Sequence, residues 1–414
     1  MQEEIIQHIN DPKQLEKLYR ENKTIFKNAF NTAYPEIKEN AIAQAWNERL
    51  NFETEEISWG SNNELRFVIV ASVIAGIISK IPELFDVSTD FFYSRNIGFI
   101  IFPILTVYFT WKLVPETKIL VIAFSVILLS IVYINILPND TESDTLILSC
   151  IHLPLVLWSV LGFIFVGNNF RNNQRRLDFL RYNGDLIVMT TIIVIAGILL
   201  SAISMVLFEI IDIPVDEFYF QYVAIIGMAA SPIVATYLVQ TNPQLVNKVS
   251  PIIAKVFTPL VLFTLIIYLI AVIGSGKDPY NDREFLLVFN ILLIGVMAII
   301  LFAISERSKN NTGKIGTLML LELSIVTIII NGIALSAIIF RISEWGFTPN
   351  RLAVLGGNIL ILTNLILVTI NLIKTIKDNN AIQKVENSIT SFLPVYSVWS
   401  VIVTFVFPLI FNFR

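Results

Sequence analysis

The residues best suited to chemistry are few, and most lie inside long apolar runs. Glu322 falls about seven residues into one run, ~10 Å from its end at 1.5 Å per helical residue. A charge at that depth costs at least ~2.5 kcal/mol on insertion scales, so it needs a partner or water. It is a candidate proton- or cation-coupling carboxylate. A neighbouring helix or a base at the membrane surface would satisfy it without any function. Asn331 lies nine residues further on, two and a half helical turns, so the two side chains point to opposite faces. Asn290, Asn358 and Asn364 are the other amides at depth. A permease would line a polar cavity with several of Glu322, Asn331, Asn290, Asn358 and Lys255. Hydrogen bonding between helices explains the amides equally well.

Two charged clusters lie at the ends of runs. The turn Arg341-Ile-Ser-Glu344-Trp345-Gly346-Phe-Thr348-Pro349-Asn350-Arg351 concentrates two arginines, a glutamate and a tryptophan between two apolar runs. Arg341 and Glu344 stand at i and i+3, a spacing that allows pairing on one helix face. Thr348 and Asn350 are placed to cap the following helix, and Pro349 to stop the preceding one. This turn is a candidate outer contact for an anion or headgroup, or a rigid hairpin anchored by interfacial Trp and Arg. The segment 168–185 carries Arg171, Arg175, Arg176 and Arg181 interleaved with Phe170, Phe179 and Tyr182. That pattern suits anionic lipid on the inner side, and suits a topology-setting surface helix equally.

No phosphate loop, dinucleotide fingerprint, zinc-protease or CxxC motif is present, so neither an ATPase motor nor a cofactor or metal site is implied. Cys150 is the one cysteine, and His8 and His152 are far apart. Hydrophobic residues make up 55% of the 414 and charged residues 15%, against about a quarter charged in soluble domains. The mean hydropathy is +0.71. A net charge of -4 excludes a global basic field for nucleic acid.

The elements that position these residues are apolar helices. Runs at 67–85, 95–112, 118–137, 146–166, 186–210, 219–240, 251–273, 284–303, 316–340, 351–373 and 393–411 are each close to the ~20 residues needed to cross a bilayer. They predict an all-α bundle of about eleven spans over 63–414. Lys80 and Pro82 interrupt the first run, and Lys80 is expected to snorkel. Residues 1–62 read as a polar helical head. Asp11 and Pro12 start one helix, Pro35 breaks another, and Ile42, Ala45, Trp46 and Leu50 share the face of a third.

Lysine and arginine alternate between connections. With the head inside, fourteen fall in inner loops and eight in the head, against seven outside. The positive-inside rule then places the N-terminus in the cytoplasm and the C-terminus outside.

The turn FRISEWGFTPNRLAVLGGN, the opening DPKQLEKLYRENKTIFKNAFNTAYPEI and the segment FFYSRNIGFIIFPILTVYFTWK resemble the DUF4153 family of bacterial polytopic membrane proteins. Arg341, Glu344, Gly346, Thr348, Asn350 and Arg351 are the matching positions, and the head is similar in style to members from the Bacteroidetes. The resemblance implies a multi-pass inner-membrane protein and carries no activity or catalytic residue. The leading expectation is a permease-like or lipid- and anion-handling protein without its own ATPase. The alternative is a signalling or scaffold protein whose head binds a cytoplasmic partner. An intramembrane lipid-modifying enzyme fits least, since acids, bases and metal ligands do not cluster.

Overall fold

The computed structural model describes every residue except 1, 22, 52–59, 141, 170, 211–213, 276–279, 281–282, 308–313, 378–381 and 414. Phe170 thus lies outside the described residues. The chain divides into two compact units, Met1–Ser58 and Trp59–Arg414.

The first unit holds α1 (Gln2–Gln7), α2 (Pro12–Glu21), α3 (Lys23–Ile37) and α4 (Ala41–Asn51). Asp11 caps α2, its carboxylate accepting the Lys13 and Gln14 N–H groups, with Pro12 at the first helical position. Pro35 does not break α3, which continues to Ile37. Burial of Phe30 and Ala33 in the preceding turn offsets the bond the proline removes. On α4 the buried face is Ala43, Trp46 and Leu50, while Ala45 is exposed. Spacings of three and four keep a single helical stripe.

Glu16 binds Arg20 at 2.9 Å and Arg49 of α4 at 2.7 Å. These two guanidinium bonds hold its carboxyl below the usual carboxylate range. A depressed native value makes the contribution fully present above the unfolded carboxylate range and lost as pH falls from there through the lower native value. Amide exchange in α2 and α4, corrected for intrinsic rates, should therefore rise between about pH 5 and about pH 3. Glu16→Gln should exchange faster already at the upper pH and respond less to acid. An identical response would disprove the link.

The second unit runs through α5 (Asn62–Ser79), the turn α6 (Ile81–Leu84), α7 (Thr89–Leu113), α8 (Thr117–Ile136), α9 (Asp144–Val166) and α10 (Asn173–Ile210). The short α11 (Asp216–Phe218) leads through a π-turn into α12 (Ile225–Thr241). Then come α13 (Pro243–Ser275), α14 (Arg283–Arg307), α15 (Lys314–Trp345), α16 (Pro349–Lys377), α17 (Ile382–Val401), a second π-turn and α18 (Phe407–Ile410). Serine hydroxyls at Ser61, Ser88 and Ser143 cap α5, α7 and α9, satisfying orphan N–H groups at helix starts.

Eleven of these helical stretches are long and apolar enough to cross a membrane, and no strand occurs among the described residues. Val70, Leu129, Leu199, Phe263, Ile267 and Ile291 are all more than half exposed. A continuous apolar exterior of this kind is compatible with hydrocarbon, not water. This is a multi-pass membrane protein.

Cross-contacts show that the helices alternate in direction. Lys112 at the end of α7 meets Glu64 at the start of α5. Arg181 near the start of α10 meets Ser305 at the end of α14. Arg95 near the start of α7 meets the end of α8. One end of the bundle therefore gathers Lys112, Lys118, Arg171 and Arg176, and is called the basic end below. Two apolar cores fill the interior. One is built mainly from α5, α7, α8, α9 and α12, the other from α13 to α17.

Two boundaries differ from expectation. The helix carrying the 186–210 run begins at Asn173, so Arg175, Arg176 and Arg181 ride on the span's own helix. Backbone bonding inside a helix continues past the last apolar residue as long as polar side chains can pack. The first run stops at Ser79, and Pro82 starts the separate turn α6. Lys80 there is buried, paired with Glu83 and 4.3 Å from the Tyr222 ring centroid, rather than snorkelled. A partner and an aromatic face replace the water it would otherwise seek.

Candidate functional site

The amides at depth bind one another. Asn358 donates to Asn290 Oδ1 at 3.0 Å, and Asn331 donates to the Asn358 carbonyl at 3.3 Å. This ties α14, α15 and α16 together. Asn331 is fully buried and its Oδ1 has no partner among the described residues. Asn364 bonds Tyr396 of α17, and Thr369 of α16 bonds Ser324 of α15. These are interhelical ties in the sense established for membrane bundles. Glu322 lies on the exposed face of α15 with no ion pair among the described residues, and Lys255 is exposed on α13. The structure thus joins Asn290, Asn331 and Asn358 but does not bring Glu322 or Lys255 to them.

In the turn 341–351 both arginines bond to backbone carbonyls. Arg341 is buried, donates to the Tyr280 carbonyl and lies 5.7 Å from the Trp345 ring. Glu344 is exposed and forms no ion pair with it among the described residues. Arg351 donates to the carbonyls of Trp345 and Gly346, capping the end of α15. Thr348 accepts the Arg351 N–H and Pro349 begins α16. Asn350 is half-buried. Gly346 has φ +75, a left-handed geometry that favours glycine.

At the basic end the arginines divide. Arg181 is buried, donating to the Ser305 carbonyl and pairing with Asp178 at 3.1 Å. Its guanidinium is committed to the protein rather than turned to a membrane surface. Arg171 and Arg175 are exposed. Arg176 is half-buried and donates to the Thr390 carbonyl of α17 at 3.2 Å.

Arg176 also lines a groove of about 420 Å³ between α8, α9 and α17. Its walls are Val126, Val156, Phe163, Leu393, Val401 and neighbours of the same apolar kind, with Trp158 and Phe179 forming an aromatic side. Ile122 and Val398 are each more than half exposed, so the groove opens sideways. Its few polar groups are turned away or used internally. Ser159 and Ser397 donate to the Leu155 and Leu393 carbonyls, and the Trp158 N–H goes to Asn183. Gly162 lets the Phe179 ring lie where a Cβ would approach within 2.8 Å. Arg176 is the one charged side chain among the described lining residues.

Sequence reasoning singled out Arg176 but missed the groove, because its lining residues have the same composition as lipid-facing ones. It also missed the buried Arg95 and the Glu64–Tyr108–Lys112 cluster, whose signal was an ionisable residue inside or flanking an apolar run. No group of three metal-binding side chains occurs among the described residues. No family model, curated protein or solved structure matches this chain.

Proposed function

We propose that this chain is a lipid-handling protein of a bacterial inner membrane, without its own energy-coupling domain, that receives a bilayer acyl chain in the α8–α9–α17 groove. The observation that carries the reading is the groove itself. Its volume falls within the ~300–1,000 Å³ of ligand sites, and apart from Arg176 its wall is predominantly apolar. The α9 wall runs from Val156 to Val166, about 15 Å at 1.5 Å per residue. That is half of a ~30 Å hydrocarbon core, or one leaflet. The charge bias of the connections supports placing the basic end, with the N-terminus, in the cytoplasm. Membership of the DUF4153 family belongs to the same proposal and supplies no activity. The amides that would line a coupled permease pathway are bonded to one another as interhelical ties, and Glu322 stands apart from them. The scaffold reading lacks its docking stripe, since no large apolar side chain is exposed in the head among the described residues.

The test is photocrosslinking in nanodiscs with a phosphatidylcholine carrying a diazirine in one acyl chain. Labelling should concentrate on groove peptides containing Val126, Phe163 and Ser397. Ser159→Trp should fill the groove and cut that labelling by about tenfold, with the fold intact, as expected for losing a few buried methylenes of contact. Labelling spread evenly over exposed faces such as Phe263 and Ile267 would refute the reading.

A further inference from the structure

We propose that the groove selects a phospholipid with a net negative headgroup from the leaflet at the basic end, with Arg176 as its phosphate contact and Lys118 as a second. This rests on the acyl-groove reading. The groove has a direction. Its deep part offers no polar contact, because the Ser159, Ser397 and Trp158 donors are all bonded within the protein. Its one charge, Arg176, lies three residues past the start of α10. The Thr390 carbonyl takes one of its donors, and a guanidinium carries five, enough to bond to the protein and to a phosphate at once. Across the mouth, Lys118 stands four residues before the lining residue Ile122 on α8, which puts both on one helix face. Lys118 and the neighbouring Arg175 are exposed. Asp178 is paired with Arg181, leaving Glu116 as the nearby exposed acid. A headgroup carrying its own cation would place that cation among these bases. An anionic one would not.

The experiment uses the intact protein in phosphatidylcholine nanodiscs, doped at equal trace level with acyl-diazirine phosphatidylglycerol or acyl-diazirine phosphatidylcholine. Groove peptides should label with the anionic probe in preference, by about fivefold for each basic residue engaged at low salt. Lys118→Gln and Arg176→Gln should each lower that ratio, and Arg176→Lys should retain part of it. Because Arg176 also binds Thr390, the exposed Lys118 variant guards against a folding effect. A groove labelled equally by both probes overturns the headgroup selection and leaves the acyl-groove reading standing. A groove labelled no more than the α13 exterior overturns both.

Discussion

Replacing Arg95 with methionine is expected to destabilise the protein by about 3 kcal/mol, the cost of leaving two or more buried carbonyls without donors. Arg95 is almost fully buried near the start of α7. One Nη donates to the Ile134 and Leu137 carbonyls, the other to the Pro138 carbonyl and the Asn139 side chain. The Ile134 and Leu137 carbonyls are terminal acceptors of α8, which no further turn of helix can satisfy, and Pro138 and Asn139 follow directly after its cap. The positive group also sits at the negative end of that helix's dipole. Its guanidinium carbon also lies 4.5 Å from the Phe91 ring centroid, a cation–π contact. Methionine keeps the stem volume and removes every donor, which separates hydrogen bonding from packing. Lysine should recover less than half, since one ammonium cannot span acceptors spread over a turn. The measurement is reversible denaturation in mixed micelles, followed by tryptophan emission. A methionine variant as stable as wild type would show that water already serves those carbonyls. Because α8 is also one wall of the groove, Arg95→Met should weaken groove photolabelling alongside stability.

The architecture was legible in the sequence for a simple physical reason. A span must bond its whole backbone internally and present an apolar exterior for ~20 residues, so each of the eleven helices announces itself by length and hydropathy alone. What polar side chains do inside the bundle was less legible. Arg176 and Arg181 look equivalent in NNQRRLDFLRY, yet five residues of helix rotate them by 500°, so one reaches a groove and the other the α14 terminus. Lys80 read as a snorkelling base because the ring beside it, Tyr222, becomes a neighbour only through packing, and the i+3 spacing of Glu83 did not by itself show that Lys80 is buried. Asn331 and Glu322 were separated correctly, since a single helix settles relative direction. The partner of Asn331 was not deducible, because it depends on how α16 crosses α15. The groove was invisible for a deeper reason: a concave apolar wall and a convex lipid-facing one are spelled with the same residues.

Glu64→Leu should cost about 3 kcal/mol, while the double substitution Glu64→Leu, Lys112→Met should recover most of that loss. Glu64 is buried at the start of α5 and accepts from the Tyr108 hydroxyl and from Lys112 Nζ at 2.9 Å. Lys112 also donates to the Tyr108 oxygen at 3.2 Å, which closes a three-membered network between α5 and α7. Removing the carboxylate alone leaves the Tyr108 hydroxyl without its acceptor and the Lys112 ammonium without its counter-ion, and that penalty is the larger part of the expected loss. Lys112 keeps about a third of its side chain exposed, so solvent relieves some of the strain and the figure is nearer the low end of buried-pair costs. Removing both charges withdraws the penalty along with the attraction, and two apolar side chains suit the membrane interior. A third variant, Tyr108→Phe, should cost about 1 kcal/mol by the same logic, since it deletes a donor without stranding a charge. Chemical denaturation of wild type, Glu64→Leu, Lys112→Met and the double variant in one micelle system yields the coupling energy directly. Additive losses would mean that the ion pair contributes independently of its partner's presence. The non-additive result expected here would identify the cluster as a lock fixing α5 against α7, where the first span meets the basic end.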